Sequence, residues 1–398
     1  MKILFLTDNF PPESNAPATR TCEHCSAWVK EGVEVTVITG APNFPQGKVY
    51  EGYRNKLYQT EYVNGIKVIR VWTFIAANKG FLKRIIDFLS FMIASFMAGL
   101  FVKTDLIVAT SPQFFTAISG RWLSFWKRKE WVMEVRDLWP ESIKAVGAMG
   151  TNPIIRFFEF LEHRMYKSAS KIVTVTDSFK MQIVRDHKIV SNKIEIVKNG
   201  MNTEMFKPIP KNGHLLKELK LENKFIIGYI GTHGMAHKLD FILNCAKRIS
   251  DDDIHFLFVG AGAEKERLLR LIKELQLENV TMLPSVKKSQ VKEFISILDV
   301  GLVNLKKSDT FKSVLPSKIF ELAAMHKPLL LGVEGEAKEL VQTYQIGIAF
   351  EPENEEHFIK SVLEIRADYN TDWNFDSLVQ DFDRQDLAKK MLEFLKRK

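Results

Sequence analysis

The sequence predicts an α/β protein built from two doubly wound, Rossmann-like halves. Three observations carry that prediction. Short apolar runs alternate with helical stretches along the chain, the pattern of parallel sheets covered by helices on both faces. The alternation restarts after a polar, proline-bearing stretch at Asn199–Lys211, which suits a linker. The 398 residues are enough for two domains, each with its own core.

The first half opens with an apolar run at Lys2–Thr7 that stops at Asp8-Asn9-Phe10-Pro11-Pro12, a strand entering a proline loop. A helix from about Thr19 ends at Glu31-Gly32, and Val33–Thr39 returns to strand. The unit recurs: strand Asp105–Ala109, helix Phe114–Phe125, strand Trp131–Val135, helix Pro153–Lys167, strand Lys171–Val175. In the second half the strands are Lys224–Ile230, His255–Val259, Asn279–Leu283, Val300–Asn304 and Pro328–Leu331. Helices are expected between them at Asp240–Ile249, Ala263–Leu275, Lys288–Leu298 and Ser317–Met325. Two halves of this kind place a ligand cleft between the carboxyl ends of two sheets. A last helix, Asp386–Lys398, has Leu387, Met391, Phe394 and Leu395 on one face. The expected domains are therefore 1–200 and 201–380, with the helix of 381–398 packing back on the first.

Apolar residues make up 46% and charged residues 26%, which excludes a disordered or fibrous chain. The net charge of +8 favours an anionic partner: a nucleotide, a phospholipid surface or nucleic acid. Scattered lysines without a reading helix or an aromatic sheet motif argue against nucleic acid. Three cysteines, Cys22, Cys25 and Cys245, are too few for a disulfide framework. Cys22 and Cys25 flank His24 at C-x-x-C spacing, but they fall in a helical pattern with no second pair, so neither metal nor redox chemistry is expected. Lys2 runs straight into Ile3-Leu4-Phe5-Leu6 with no small-residue cleavage site, so no secretory signal is expected and the reducing cytoplasm is the expected compartment.

The segment 81–102 is unusual. Phe88–Val102 has no charge, yet its fifteen residues fall short of the roughly 20 that a spanning helix needs. Lys83, Asp87, Ser90 and Ala94 share one helical face, opposite Leu82, Ile86, Leu89, Ile93 and Phe96. One reading is a helix at the membrane interface, helped by Arg84 and by the basic and aromatic stretch 121–129. The other is a buried core helix.

Several blocks then point to a family. Gly32-Val33-Glu34-Val35-Thr36-Val37-Ile38-Thr39 with Pro42-Asn43-Phe44-Pro45-Gln46-Gly47 resembles the first crossover of the family 4 retaining glycosyltransferases. Val197-Lys198-Asn199-Gly200-Met201-Asn202, followed by Phe206 and Pro208, is similar to their linker. Val259-Gly260-Ala261-Gly262-Ala263-Glu264 resembles a glycine turn of theirs, and Pro316-Ser317-Lys318-Ile319-Phe320-Glu321 with Lys327-Pro328 their donor-site helix. The block Arg136-Asp137-Leu138-Trp139-Pro140-Glu141-Ser142 is shared with bacterial capsule and O-antigen amino-sugar transferases, including N-acetylfucosamine transferases. The matches span nearly the whole chain in order.

The resemblance implies the GT-B fold and a donor site in the second half. A diphosphate leaving group needs positive charge or oriented N–H donors as its bond breaks. Gly231-Thr232-His233-Gly234 is a turn where backbone approaches phosphate, Lys238 matches the family's diphosphate lysine, and Ser317 and Lys318 begin a helix whose N-terminus attracts phosphate. The alternative for Lys238 is a solvated surface lysine. Glu321 matches the family's ribose-binding glutamate, since a carboxylate can accept from both hydroxyls of a diol. The family's earlier glutamate is Ser313 here, and its arginine after the first glycine is Thr232, a gap that Lys318 is expected to fill. Gly260 and Pro284 complete the implied donor set.

In the first half Arg136 stands where the family has a histidine meeting the donor sugar, with Asp137 placed to orient it; the alternative is an Arg–Asp structural pair. Arg136, Asp137 and Lys238 are the expected catalytic residues. Glu13, Asn15 and Arg20 on the first loop, with Glu141, are the expected acceptor contacts. The first loop carries no dinucleotide fingerprint, which argues against a nicotinamide enzyme. No D-x-D motif appears, so no metal and no cofactor is expected beyond the UDP-sugar co-substrate. The resemblance implies a polyprenyl-diphosphate-linked saccharide acceptor and a peripheral position on the inner face of the cell membrane. Two other readings stand beside it: a UDP-sugar 2-epimerase of the same fold, and a non-catalytic anionic-surface binder.

Overall fold

The computed structural model describes residues 1–13, 15–44, 47–75, 81–111, 114–138, 153–249, 251–368 and 372–397. They form two units, 1–198 with 384–398, and 199–383. In the first, the apolar runs become β1 (Lys2–Leu6), β2 (Glu34–Gly40), β5 (Leu106–Thr110), β6 (Glu130–Val135) and β7 (Lys171–Thr174), and a short strand that the sequence reading did not contain, β8 (Ile194–Ile196), joins them. A hairpin absent from the sequence reading, β3 (Tyr58–Val63) and β4 (Ile66–Val71), completes the sheet. Its order is β3-β4-β2-β1-β5-β6-β7-β8, parallel throughout except for the β3–β4 pair. The hairpin turns at Asn64-Gly65, both at positive φ (51° and 80°), a backbone that asparagine and glycine accept most readily.

Helices α1 (Ala16–Lys30), α2 (Phe81–Gly99), α3 (Phe114–Lys127), α4 (Pro153–Ser168) and α5 (Asp177–His187) cover this sheet. Because side chains alternate across a strand, Ile3 and Phe5 pack with Cys22, Cys25 and Trp28 of α1, while Leu4 and Leu6 join Phe91, Phe114 and Phe115 on the opposite face. Cys22 and Cys25 are thus core residues. Burial pushes the Cys22 thiol up to about 11 and Cys25 well above its usual value, so neither is poised as a thiolate.

Helix α2 buries Phe91, Met92, Ser95 and Ala98, and leaves Ile86, Ile93 and Met97 exposed. One face of the helix is therefore core. Among the described residues no helix is long and apolar enough to cross a membrane.

The second unit carries β9 (Phe225–Ile230), β10 (Ile254–Val259), β11 (Val280–Leu283), β12 (Val300–Asn304), β13 (Leu329–Gly332) and β14 (Gly347–Ala349). All are parallel in the order β11-β10-β9-β12-β13-β14, the doubly wound Rossmann arrangement. Strand order reverses between β9 and β12 here, and between β1 and β5 in the first unit. In open α/β sheets ligands bind outside the carboxyl ends of the strands at that reversal. The helices are α6 (Gly213–Leu219), α7 (Leu239–Arg248), α8 (Lys265–Glu274), α9 (Lys288–Ser296), α10 (Lys318–Ala324), α11 (Glu336–Thr343), α12 (Glu355–Ala367) and α13 (Phe375–Asp381).

The stretch expected as a linker is packed at its start. Met201 and Phe206 lie in the core of the second unit, and the Met201 amide donates to the Phe382 carbonyl at 3.2 Å. The chain then returns to the first unit as α14 (Arg384–Lys396). Leu387, Met391, Phe394 and Leu395 of α14 join the core around Trp28, whose indole N–H donates to the Ala388 carbonyl at 2.8 Å.

Candidate active site

At the reversal in the second unit, β9 runs into Gly231-Thr232-His233-Gly234. The Gly231 amide donates to the Val259 carbonyl at 2.9 Å and the His233 amide to the Ala261 carbonyl at 2.9 Å, so this loop lies along the turn that follows β10. The contact is backbone against backbone. A Cβ at Gly260 would sit 1.8 Å from the Gly231 carbonyl oxygen, and one at Gly262 would sit 2.3 Å from the His233 carbonyl oxygen. Glycine is needed at both positions because any side chain would fill the space the neighbouring backbone occupies.

Lys318, at the start of α10, reaches back to the same loop. Its Nζ is 3.7 Å from the centroid of the buried Tyr229 ring and 3.1 Å from where a Gly231 Cβ would lie. Tyr229 in turn donates its hydroxyl to the Thr232 carbonyl at 2.8 Å. Among the described residues no ion pair holds the Lys318 ammonium; burial lowers it to about 7, with Glu321 pulling the other way. His233 is fully buried with neither ring nitrogen hydrogen-bonded. Burial first, then Lys265 and Lys318, hold it down at about 4, and burial with Lys318 holds His237 at about 3. Both imidazoles are neutral at neutral pH, which leaves Lys318 as the titrating group of the loop.

The far end of the loop is fixed from β12: Asn304 Nδ2 donates to the His237 carbonyl at 2.9 Å, and the Lys306 amide to the Ala236 carbonyl at 2.8 Å. Lys238 closes the loop in the left-handed region (φ 47°) just before α7, ion-paired to Asp240 at 3.2 Å. Asp240 also pairs with Arg267 at 3.2 Å. Glu321 lies one turn along α10 from Lys318, its Oε1 bonded to Lys288. Ser317 precedes α10 with no side-chain cap hydrogen bond, and Pro284 follows β11 exposed to solvent. Ser313, in place of the family's first glutamate, donates to the Thr310 carbonyl at 3.0 Å.

The structure thus brings Gly231, Thr232, His233, Gly260 and Lys318 together, with Lys238 on the same loop and Glu321 on the same helix as Lys318. Tyr229, Asn304 and Lys288 belong with them and were missed. Tyr229 reads in sequence as a core strand residue, and Lys288 as an ordinary helix residue. Glycine turns, a helix start and an unpaired amine can together hold a diphosphate without reorganisation. Among the described residues no three His, Cys, Asp or Glu side chains converge as a metal-ligand set.

In the first unit Arg136 and Asp137 follow β6, where Ser111 Oγ accepts from their amides at 2.8 and 3.4 Å. Arg136 keeps Nε and Nη1 buried without a hydrogen-bond partner among the described residues. Burial lowers its guanidinium to about 10 despite the Glu134 carboxylate, and raises Asp137 to about 6 despite Arg136.

Two expected acceptor contacts, Arg20 and Glu13, are corrected, and a third, Asn15, serves as a helix cap. Arg20 is 1% exposed: Nε pairs with Glu134 Oε1 at 3.0 Å, while Nη1 and Nη2 donate to the Lys198 and Val197 carbonyls at 2.8 and 2.9 Å. Glu13 is buried and accepts from the Asn43 and Phe44 amides at 2.8 and 2.9 Å. Asn15 caps α1, accepting from the Ala18 amide at 2.9 Å and donating to Asn9 Oδ1 at 2.7 Å. Each side chain satisfies buried groups of its own unit, which would otherwise be left costly and unpaired. Glu141 lies outside the described residues.

Comparison with known proteins fixes the class. Residues 15–200 match the family model described as glycosyl transferase 4-like domain, and residues 214–379 match glycosyl transferases group 1. The chain carries both glycosyltransferase domains. The glycosyltransferase is 25% identical over 374 residues, 91% of each chain, to a putative colanic acid biosynthesis glycosyl transferase of Escherichia coli. It is 24% identical over 248 residues, 60% of this chain and 63% of the other, to an N-acetylgalactosamine-N,N'-diacetylbacillosaminyl-diphospho-undecaprenol 4-alpha-N-acetylgalactosaminyltransferase of Campylobacter jejuni. Its structure matches sucrose-phosphate synthase of Thermosynechococcus elongatus with TM-score 0.77 and 15% identity, covering 99% and 98% of the two chains. It matches HepE of Anabaena, solved with UDP and glucose, with TM-score 0.72 and 16% identity, covering 99% of each chain. With its two parallel Rossmann-like sheets, the glycosyltransferase has the GT-B fold.

Proposed function

We propose that this glycosyltransferase moves an N-acetylated amino-sugar from a UDP-sugar to a polyprenyl-diphosphate-linked saccharide, with retention and without a metal, in the assembly of a bacterial surface polysaccharide such as capsule or O-antigen. The observation that carries the reading is the Lys318 ammonium, without an ion pair among the described residues, set against the Gly231 loop at the strand reversal. Lys318 and Lys238 supply the positive charge that the departing diphosphate needs, and Glu321 takes the ribose. In this reading Arg136, two of whose buried N–H groups have no hydrogen-bond partner among the described residues, meets a sugar or phosphate group. The printed functions of the Escherichia coli and Campylobacter jejuni relatives support the polysaccharide setting and the lipid-linked acceptor.

Release of UDP from a UDP-amino-sugar, with and without a polyprenyl-diphosphate-linked saccharide, tests the reading. Transfer gives acceptor-dependent release. Conversion of the donor without any release points to the epimerase, and failure to hold the nucleotide points to a surface binder.

The working site of such an acceptor is the cytoplasmic membrane face. Phe125 and Trp126 are 79% and 68% exposed, beside Arg121, Arg128 and Lys129 in sequence, and Phe101, just past α2, is 85% exposed. Helices α2 and α3 pack together here, with Phe96 edge-on to Trp122 at 5.6 Å. Apolar side chains interleaved with basic ones suit an anionic bilayer surface. Phe88 and Phe91, on the segment that raised the question, pack into the core and are unsuitable probes. Phe125→Asp with Trp126→Asp is expected to reduce co-flotation with anionic vesicles at least ~10-fold, each ring being worth roughly 1.5–3 kcal/mol when buried. UDP binding is expected to be unchanged. Flotation equal to wild type would remove this surface from the account.

A further inference from the structure

Lys288 opens α9, and its ammonium bonds Glu321 Oε1 across from α10. The two side chains are 23% and 16% exposed, so the pair is partly withdrawn from water and less screened than a surface bridge. The lysine head is steadied a second time, 4.7 Å from the centroid of the buried Phe206 ring. No hydrogen bond reaches Glu321 Oε2 among the described residues, and that oxygen is not sealed from solvent. One carboxylate oxygen is therefore occupied and the other open.

We propose that Lys288 is a positioning residue for the donor: it holds Glu321 by Oε1 so that Oε2 is presented to a ribose hydroxyl, and does not itself touch the nucleotide. This rests on the reading of Glu321 as the ribose ligand. A glutamate on a helix surface otherwise samples several rotamers. A charge-assisted hydrogen bond to one oxygen selects among them, so less freedom is lost when the ribose arrives.

The test compares UDP with its 2′- and 3′-deoxy analogues by calorimetry on the full chain, in wild type, Lys288→Met, Lys288→Arg and Glu321→Gln. Wild type is expected to prefer UDP over at least one deoxy analogue. Lys288→Met is expected to weaken UDP about tenfold and that analogue hardly at all, so the preference collapses. Lys288→Arg, which can still bond Oε1, restores most of it. In turnover, KM for the UDP-sugar rises in Lys288→Met while kcat at saturating donor stays near wild type.

Equal weakening of UDP and both analogues in Lys288→Met would mean only general damage and overturn the proposal. Tighter UDP binding would make Lys288 a competitor for Glu321 and overturn it as well. If Glu321→Gln abolishes the preference and Lys288→Met does not, the Lys288 proposal alone falls. If Glu321→Gln leaves the preference intact, the ribose reading of Glu321 falls first.

Discussion

Lys318→Ala is expected to lower kcat/KM for the UDP-sugar by ~10²–10³-fold, the range seen when one preorganised donor is removed from a site of developing charge. The expectation comes from the partners that Lys318 lacks. Its ammonium faces the Tyr229 ring and the Gly231 loop, with no ion pair among the described residues, so an arriving diphosphate meets a cation not already neutralised. Lys238 is held by Asp240 at 3.2 Å. Part of its charge is already answered, and Lys238→Ala is expected to cost only about tenfold.

The same environment sets a pH dependence. Burial, with Glu321 opposing, places the Lys318 ammonium at about 7 in the free protein. A diphosphate prefers the protonated amine and raises its pKa, so binding takes up a proton above pH 7. UDP affinity is therefore expected to be level just below pH 7 and to fall by up to about tenfold per unit above it. The sign for folding is separate: the unfolded amine, near 10.5, holds a proton that the folded one releases. This group thus makes stability rise with pH between about 7 and 10.5, and its penalty is full below that window. Calorimetry of UDP binding between about pH 6.5 and about pH 9 reads the effect, and Lys318→Arg should flatten it because a guanidinium stays charged. A level wild-type profile, or Lys318→Ala with wild-type affinity, would refute this role.

Gly260→Ala is expected to have a comparably large effect by a different route. The new methyl would lie 1.8 Å from the Gly231 carbonyl oxygen and 3.0 Å from His233 Nε2. The nearer atom is backbone and tied to β10 by the Gly231 amide bond to Val259, so it cannot step aside as a side-chain end would. Overpacking of this kind costs ~3 kcal/mol or more. In a unit of this size that amounts to a melting point roughly 6–12 °C lower, with UDP binding lost wherever the Gly231 loop is displaced instead. Gly213→Ala, at a position with nothing within 4 Å, is the matched control and should leave both unchanged. Thermal unfolding by circular dichroism, paired with UDP titration, checks the two variants. Identical melts and affinities would show that the two glycine turns are not packed as described.

The parallel strands were the most legible part of the molecule. Buried on both faces, they read as continuous apolar runs: Trp131–Val135 appears as β6, Glu130–Val135, and Lys2–Thr7 as β1, Lys2–Leu6. The β3–β4 hairpin escaped because β3 alternates between exposed and half-buried residues and lacks an apolar run, although Asn64-Gly65 is a strong two-residue turn signal. Helices α5 and α12 also escaped, yet Thr176 and Asn354 cap them with side chains that accept from the Phe179 and His357 amides. Strand β14, three residues long, is too short for periodicity to register.

Residue type and order on the chain were enough to pick out the glycine turns and Lys318 that the fold brings together. The direction of each polar side chain was not. Arg20, Glu13 and Asn15 fall in a stretch expected to face an acceptor, yet Arg20 and Glu13 turn inward to satisfy buried carbonyls, amides and Glu134, and Asn15 caps α1. Sequence records that a loop is polar, but not which of its groups the fold itself consumes.

The most direct test is a structure of the full chain with UDP bound. The account predicts a phosphate oxygen within ~3 Å of Lys318 Nζ, beside the Gly231 turn, and a ribose hydroxyl on Glu321 Oε2. UDP held elsewhere in the second unit, with Lys318 still against Tyr229 and Glu321 unengaged, would contradict it.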